Sequence, residues 1–239
     1  PYEGDKALIG TTDIPYEGRA EVVAADEAEI DYLIASVNRY FTEGLRREDV
    51  LESFSGVRPL YDDGAGNPSA VTRDYVFDLD TEGGAPLLNI FGGKITTFRK
   101  LAEHAMQRLA PHFPTMKGDW TAGAVMPGGD LPDGDPAAFI AQLAQEYPWL
   151  PRDLARYYTR TYGTLTRELI GQRTSVAQLG RRFGPLLYEA EARYLTAREW
   201  AETAEDILWR RTKHQLHMTA DEQGAFAEWF ISTPQERTA

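Results

Sequence analysis

A change of pattern in the middle of the chain constrains the fold more than any other feature of this sequence. Residues 111–136 read PHFPTMKGDWTAGAVMPGGDLPDGDP, a proline- and glycine-rich stretch that is unusually long for the interior of a compact domain. Short apolar runs and turn residues alternate before it, and helical spacing prevails after it. The sequence therefore predicts a mixed α/β region over residues 1–110, a connector over 111–136 and an all-α domain over 137–239.

Strand and turn signals dominate the first region. Runs of β type occupy residues 7–14, 50–60, 72–80 and 85–92, and the later ones are separated by the turn sequences DDGAGNP and TEGG. These runs predict strands of a small sheet.

One helix is predicted among these runs. Asp26 and Glu29 have the spacing of a capping box, in which each side chain bonds the other residue's backbone N–H. Gly44 is predicted to end this helix. Its apolar face is expected to comprise Ile30, Leu33, Ile34, Val37 and Phe41.

The second region reads as a succession of helices. Their predicted bounds are 136–150, 151–163, 174–180, 184–200 and 203–216. The tryptophans at helical positions are expected to anchor the core, and they are Trp149, Trp200, Trp209 and Trp229.

Composition excludes several classes of protein. The net charge of −12 argues against a general nucleic-acid binder, which needs clustered Lys and Arg, and no apolar run approaches the roughly 20 residues of a membrane span. The absence of cysteine favours a reducing compartment such as the cytoplasm. Residues 151–217 nevertheless hold 12 Lys and Arg against 8 Asp and Glu. This basic stretch is either a solvated helical surface or a face for another subunit or an anionic lipid surface.

The segment NIFGGKITTFRKLAEHAMQRL, residues 89–109, joins a strand to an amphipathic helix through two glycines. Gly92 and Gly93 expose bare backbone, the helix start offers free N–H groups with partial positive charge, and Lys94 adds a full charge. This corner suits an anion, although the same pattern also occurs as an ordinary turn. Neither G-x-G-x-x-G nor G-x-x-x-x-G-K-[ST] occurs in the sequence. The predicted core stripe of the helix is Phe98, Leu101, Ala102, Ala105, Met106 and Leu109.

Two arginines stand at predicted strand ends. Arg58 follows a glycine in SGVRPL, and Arg73 opens a strand in AVTRDY. Each is either a ligand-binding cation or a surface residue paired with Asp62, Asp63 or Asp74.

Several motifs together resemble one enzyme family. IGTTD, SGVRPL, AVTRDY, FGGKITTFRKLAEHA, PGGDLP, ARYYTRTYG and EWAETAEDILWRRTKHQL occur in the same order as in the bacterial aerobic, FAD-dependent glycerol-3-phosphate dehydrogenases. The resemblance runs from residue 7 to about residue 230 and covers the C-terminal part of that family. It implies an α+β fold: part of a substrate-binding antiparallel sheet, the closing strand and helix of a flavin domain, and an all-α C-terminal domain. The glycine fingerprint precedes this part in the family, so the chain is expected to be a fragment.

The resemblance also implies an activity. Members of the family oxidise sn-glycerol 3-phosphate to dihydroxyacetone phosphate by hydride transfer from C2 to flavin N5, and the electrons pass to quinone. A homodimer, peripheral on the inner face of the cytoplasmic membrane, is the expected form of the complete enzyme. The alternative is a non-catalytic helical module for dimerisation or membrane docking.

Site residues follow from the matching motifs. The residues implied at the FAD isoalloxazine are Gly92, Gly93, Lys94, Ile95 and Thr96, and those implied at the substrate phosphate are Arg58, Arg73 and Lys94. No histidine lies in a family active-site motif, so no catalytic residue is assigned and the base is expected in the preceding part of the enzyme. His214 and His217 could share a helical face, but no further ligand supports a metal site. Glu189 and Glu191 are expected on a solvated helix face.

Overall fold

The chain divides into two compact units, residues 1–124 and residues 125–239. The computed structural model describes residues 1–58, 61 and 74–233. The division falls inside the predicted connector of residues 111–136, whose last residues belong to the second unit.

Helices and strands have the following bounds in the described residues. They are α1 Glu27–Val37, β1 Val76–Asp80, β2 Leu87–Phe91, α2 Phe98–Leu109, α3 Pro136–Glu146, α4 Arg152–Tyr162, α5 Thr166–Ile170, α6 Glu189–Arg198 and α7 Ala220–Ser232. Short 3₁₀ turns join several of them, and Asp206–Arg211 forms a π-helix.

β1 and β2 form an antiparallel hairpin in which Val76 lies opposite Phe91 and Asp80 lies opposite Leu87. The predicted strand runs at 72–80 and 85–92 are confirmed over these shorter spans. The turn between them contains Gly83 with φ of 78°, a conformation that glycine adopts without strain.

The two earlier predicted strands are wrong. Residues 7–14 and 50–58 contain no strand, while residues 59–60 and 72–73 of the predicted runs lie outside the described part of the chain. An apolar run becomes a strand only when a neighbouring backbone completes its hydrogen bonds, and no described segment does so here.

Helix α1 begins as predicted but ends early. Glu29 N–H donates to Asp26 Oδ1 at 2.8 Å and Asp26 N–H donates to Glu29 Oε2 at 3.1 Å, which confirms the capping box. The helix ends at Val37 and not near Gly44, because the Asn38 side chain bonds both backbone groups of Leu45 and turns the chain. The predicted face is half-buried from Ile30 to Val37, whereas Phe41 lies beyond the helix and is exposed.

Helix α2 forms where the spacing predicts it, but its apolar stripe is only partly covered. Ala105 is buried, Leu101 and Leu109 are half-buried, and Phe98 and Met106 are exposed. An amphipathic stripe needs an opposing apolar surface, and the described residues of the first unit cover only part of this one.

A buried carboxylate ties α2 to the following segment. Glu103 accepts hydrogen bonds from Lys100 Nζ at 2.8 Å, Arg99 Nη1 at 2.7 Å and Thr121 Oγ1 at 2.5 Å. The bond from Lys100 is the largest of the effects that hold the pKa of Glu103 below its usual range. The carboxylate therefore stays charged and satisfied while the residue is 4% exposed.

The second unit has a large apolar core. Tyr158 on α4 and Phe226 on α7 are fully buried, and α3 packs against α4. Other members of this core are Leu150, Leu154, Tyr162, Leu169, Ile170, Leu179, Phe183, Leu187, Leu195, Ile207 and Phe230. The all-α prediction for this region is confirmed in the described residues.

The expectation that every helical tryptophan anchors the core is wrong for Trp200. Trp149 and Trp229 pack against the core, whereas Trp200 is 85% exposed with φ of 53°. Arg211 Nε donates to the carbonyl of Glu199 at 2.6 Å and so holds the turn that points the indole outward.

Two glycines make the closest backbone contact of the motifs PGGDLP and ARYYTRTYG. The N–H of Thr164 donates to the carbonyl of Gly128 at 3.0 Å, and the Thr164 hydroxyl bonds Asp130. Gly128 and Gly163 have φ of 79° and 55°. A Cβ on Gly128 would overlap the carbonyl oxygen of Tyr162, and a Cβ on Gly163 would overlap the carbonyl oxygen of Gly128. These motifs therefore fasten the start of the second unit to the end of α4.

No helix in the described ranges is long and apolar enough to cross a membrane.

Candidate functional site

The strand, glycine pair and helix predicted at residues 89–109 are present. β2 ends at Phe91, and Gly92 and Gly93 follow with φ of 69° and 99°. A Cβ on Gly93 would lie 3.2 Å from both Tyr75 Cβ and Leu101 Cδ1. Glycine at position 93 is thus required by its backbone conformation and by the close packing around it.

Backbone donors collect at the start of the helix. Ile95–Thr97 forms a 3₁₀ turn ahead of α2, and within the described residues the N–H groups of Ile95 and Thr96 have no hydrogen-bond acceptor. Thr97 is different, because its N–H and its hydroxyl both donate to the carbonyl of Lys94, at 3.0 and 2.8 Å. Ile95 and Thr96 therefore leave two backbone donors, with their partial positive charge, available to a ligand.

Lys94 adds a full positive charge at this place. Its side chain is exposed, and so are Ile95 and Thr96. In the part of the chain that the structure describes, the Lys94 ammonium makes no hydrogen bond or ion pair. A cation beside free N–H groups and bare glycine backbone is chemically suited to an anionic ligand.

The predicted phosphate-binding arginines are placed only in part. Arg58 Nη1 lies 2.8 Å from Asp13 Oδ2, and both side chains are about half exposed. No hydrogen bond or ion pair between described residues joins Arg58 to Lys94. Arg73, like Asp62 and Asp63, lies outside the described residues.

A second cluster of polar side chains lies inside the helical unit, centred on Glu191 of α6. Glu191 is 0% exposed, so the expectation of a solvated face is wrong. Tyr157 and Tyr162 hydroxyls donate to its Oε1 at 2.7 and 2.6 Å, and His214 Nε2 lies 3.1 Å from its Oε2. We call these four residues the Glu191 cluster.

The electrostatics of the Glu191 cluster keep its tyrosines protonated. Burial first, and the charge of Glu191 second, raise the pKa of Tyr157 and Tyr162 well above the usual value for tyrosine. Both hydroxyls therefore remain hydrogen-bond donors to Glu191 at neutral pH. One signal in the sequence indicated burial: Glu191 lies four residues from Leu187 and from Leu195, on the apolar stripe.

The histidines do not form a metal site in the described residues. His214 is buried in the Glu191 cluster, and Tyr75 Oη lies 2.5 Å from His104 Nδ1 in the first unit. No group of three or more His, Asp or Glu side chains that could hold a metal ion occurs in residues 1–58, 61 and 74–233.

Comparison with known proteins decides the family. Residues 1–99 match the family of FAD dependent oxidoreductases, and residues 119–228 match the C-terminal domain of alpha-glycerophosphate oxidase. The chain belongs to the FAD-dependent oxidoreductase family. The resemblance seen in the sequence motifs is confirmed.

Three individual proteins align with nearly the whole chain. The chain is 66% identical over 230 residues to D-erythritol 1-phosphate dehydrogenase of Brucella abortus, an alignment that covers 96% of this chain and 46% of the relative. It is 44% identical over 238 residues to aerobic glycerol-3-phosphate dehydrogenase of Escherichia coli, covering 99% and 47%, and equally to glycerol-3-phosphate dehydrogenase of Pseudomonas aeruginosa, covering 99% and 46%. The chain spans about half the length of these relatives.

Proposed function

We propose that this chain is part of an FAD-dependent dehydrogenase that oxidises a phosphorylated linear polyol. The observation that carries the proposal is the corner at residues 92–96, where glycine backbone, free N–H donors and an exposed lysine converge. The family matches over residues 1–99 and 119–228 support it. The proposal concerns the complete polypeptide, because the chain spans about half of its relatives.

The residues at the corner fit the family's cofactor. Gly92 and Gly93 carry no side chains that would stand between their backbone and a planar group, and Ile95 offers an exposed apolar side chain. Bound FAD would supply the two-electron acceptor for the oxidation. Gly92, Gly93, Lys94, Ile95 and Thr96 would hold it, with the N–H groups of Ile95 and Thr96 available to stabilise negative charge on a ring oxygen.

Cations of the first unit would bind the substrate phosphate. Guanidinium groups form two parallel hydrogen bonds to phosphate oxygens, which suits Arg58 and Arg73, and Lys94 contributes a point charge. The proposed role of Arg73 is supported by the motif AVTRDY alone. That of Arg58 is supported by the motif SGVRPL and by the ion pair with Asp13, which orients the side chain.

Two substrates fit this chemistry. sn-Glycerol 3-phosphate, with dihydroxyacetone phosphate as product, is supported by the 44% identical relatives, whereas D-erythritol 1-phosphate is supported by the 66% identical relative. The higher identity favours the four-carbon polyol phosphate. Steady-state kinetics of the complete polypeptide, with an artificial electron acceptor, should give a higher kcat/KM for D-erythritol 1-phosphate. If the complete polypeptide oxidises neither compound, the proposed function is wrong.

The remaining partners are proposed on the same basis. Quinone is the proposed electron acceptor, and a homodimer at the inner face of the cytoplasmic membrane is the proposed form of the complete enzyme. The basic stretch at residues 151–217 supports contact with anionic lipid. The alternative function, a non-catalytic helical module, predicts a complete polypeptide that contains no flavin and does not oxidise either polyol phosphate.

We expect the 239-residue polypeptide alone to bind FAD weakly or not at all. Its sequence lacks a glycine-rich loop for the pyrophosphate, and one helix N-terminus contributes only about 0.3–2 kcal/mol. Flavin fluorescence titration measures this directly. Saturation at low micromolar FAD would show that residues 1–239 hold a larger share of the cofactor site than proposed.

Replacing Arg58 with methionine in the complete enzyme should lower kcat/KM for the preferred polyol phosphate by roughly 10- to 150-fold. A hydrogen bond to a charged group contributes about 1.5–3 kcal/mol, and methionine keeps the length of the side chain without the charge. The control is Arg108→Met at the exposed end of α2, which should change kcat/KM by less than about twofold. Equal values for wild type and Arg58→Met would remove Arg58 from the substrate site.

A further inference from the structure

The motif IGTTD, residues 9–13, forms no strand, yet its last two side chains each reach a distant residue. Thr12 Oγ1 donates to Glu29 Oε1 at 2.5 Å, 17 residues away. Asp13 Oδ2 accepts from Arg58 Nη1 at 2.8 Å, 45 residues away. This irregular segment therefore contacts α1 and a distant arginine through its side chains and not through a sheet.

Thr12 attaches the segment to a rigid support. Glu29 uses one carboxylate oxygen to accept from the Thr12 hydroxyl and the other to accept from the N–H of Asp26 in the capping box of α1. The N-terminus of α1 is fixed by that box, so the position of Thr12 is fixed with it. Thr12 is part-buried, whereas Asp13 is exposed.

Asp13 therefore presents a carboxylate from an anchored backbone to a flexible arginine. An arginine side chain loses conformational entropy when it binds a ligand. A partner that already restrains the side chain reduces that loss. One guanidinium edge contacts Asp13 through Nη1, which leaves other N–H groups of the fork for a phosphate.

We propose that Asp13 is a positioning residue for the substrate phosphate, acting through Arg58, and that Thr12 and Glu29 hold Asp13 in place. This inference rests on the proposed function, in which Arg58 binds the phosphate of a polyol phosphate. Asp13 acts on substrate affinity and leaves the oxidation step itself unchanged.

The test is a double-mutant cycle in the complete enzyme with D-erythritol 1-phosphate and sn-glycerol 3-phosphate as probes. Asp13→Asn, Arg58→Met and the double variant are compared for kcat and KM. Asp13→Asn should raise KM roughly 2- to 5-fold with kcat unchanged, the size expected for a half-exposed ion pair. Asp13→Glu should restore part of the loss, and Thr12→Val should raise KM in the same direction.

The control is Asp31→Asn, which removes a surface carboxylate 3.4 Å from Arg47 in the same unit and should leave KM unchanged. In the Arg58→Met background, Asp13→Asn should have no further effect on KM. Additive effects of the two substitutions, or a wild-type KM for Asp13→Asn, would overturn the positioning role while Arg58 keeps its place at the phosphate. A wild-type KM for Arg58→Met would overturn both the positioning role and the phosphate assignment, and thermal melts of each variant identify any loss of folding.

Discussion

Replacing Glu191 with alanine should lower the free energy of unfolding of the helical unit by about 3–5 kcal/mol. The substitution removes the acceptor of the buried Tyr162 hydroxyl, of the partly buried Tyr157 hydroxyl and of His214, and it leaves a cavity. Each buried donor left without a partner costs about 1–3 kcal/mol. Urea unfolding of the 239-residue chain, followed by far-UV circular dichroism, measures the change.

The control for Glu191 is Glu205→Ala. Glu205 accepts from Arg210 at 3.0 Å on the surface, where both side chains are more than half exposed, so its loss should cost no more than about 1 kcal/mol. If Glu191→Ala lowers the free energy of unfolding by no more than the Glu205→Ala control does, the Glu191 cluster adds no net stability.

Gly163→Ala should destabilise the helical unit by about 3 kcal/mol or more, since backbone strain and overpacking add. Gly163 has φ of 55°, and its added Cβ would overlap the carbonyl oxygen of Gly128. Relief of that overlap requires the backbone of PGGDLP to move, which breaks the hydrogen bond from Thr164 to Gly128. The same urea titration measures the effect.

Alanine variants at two other glycines separate the cost of backbone strain from the cost of the overlap with Gly128. Gly134 has φ of 68° with open space around its Cβ position, so Gly134→Ala should cost only the backbone strain of about 1–2 kcal/mol. Gly224 lies in α7 with ordinary helical dihedrals and open space, so Gly224→Ala should stabilise by about 0.5–1 kcal/mol. A cost for Gly163→Ala equal to that for Gly134→Ala would show that the contact with Gly128 relaxes easily.

The ends of elements were predicted well where they depend on neighbouring residues. The capping box at Asp26 and Glu29 is one example, and the turn at Gly92 and Gly93 is another. Helix α1 nevertheless ended early, because the Asn38 side chain bonds Leu45 in a way that helical spacing does not encode. The strand runs at 7–14 and 50–58 failed for a related reason, since strand formation depends on a partner segment.

The candidate site was predictable to a similar extent. The sequence placed Lys94, Ile95 and Thr96 at a helix start, and the structure has them there, exposed. It left open whether Arg58 pairs with a nearby aspartate, and the observed partner is Asp13, which sequence spacing did not suggest. The roles of these residues in binding remain predictions, to be tested by the kinetics described above.

By itself the sequence determined the features that depend on local interactions or on the order of motifs. These are the helical second region, the glycine turn with its lysine, and membership of the family. Periodicity assigns a residue to a face of its helix but names no partner for that face. Only the tertiary structure decided that Glu191 is buried among tyrosines, that Gly128 meets Gly163 and that Asp13 holds Arg58. These contacts join residues far apart in the chain, and their energies come from burial and exclusion of water, which exist only once the chain has packed.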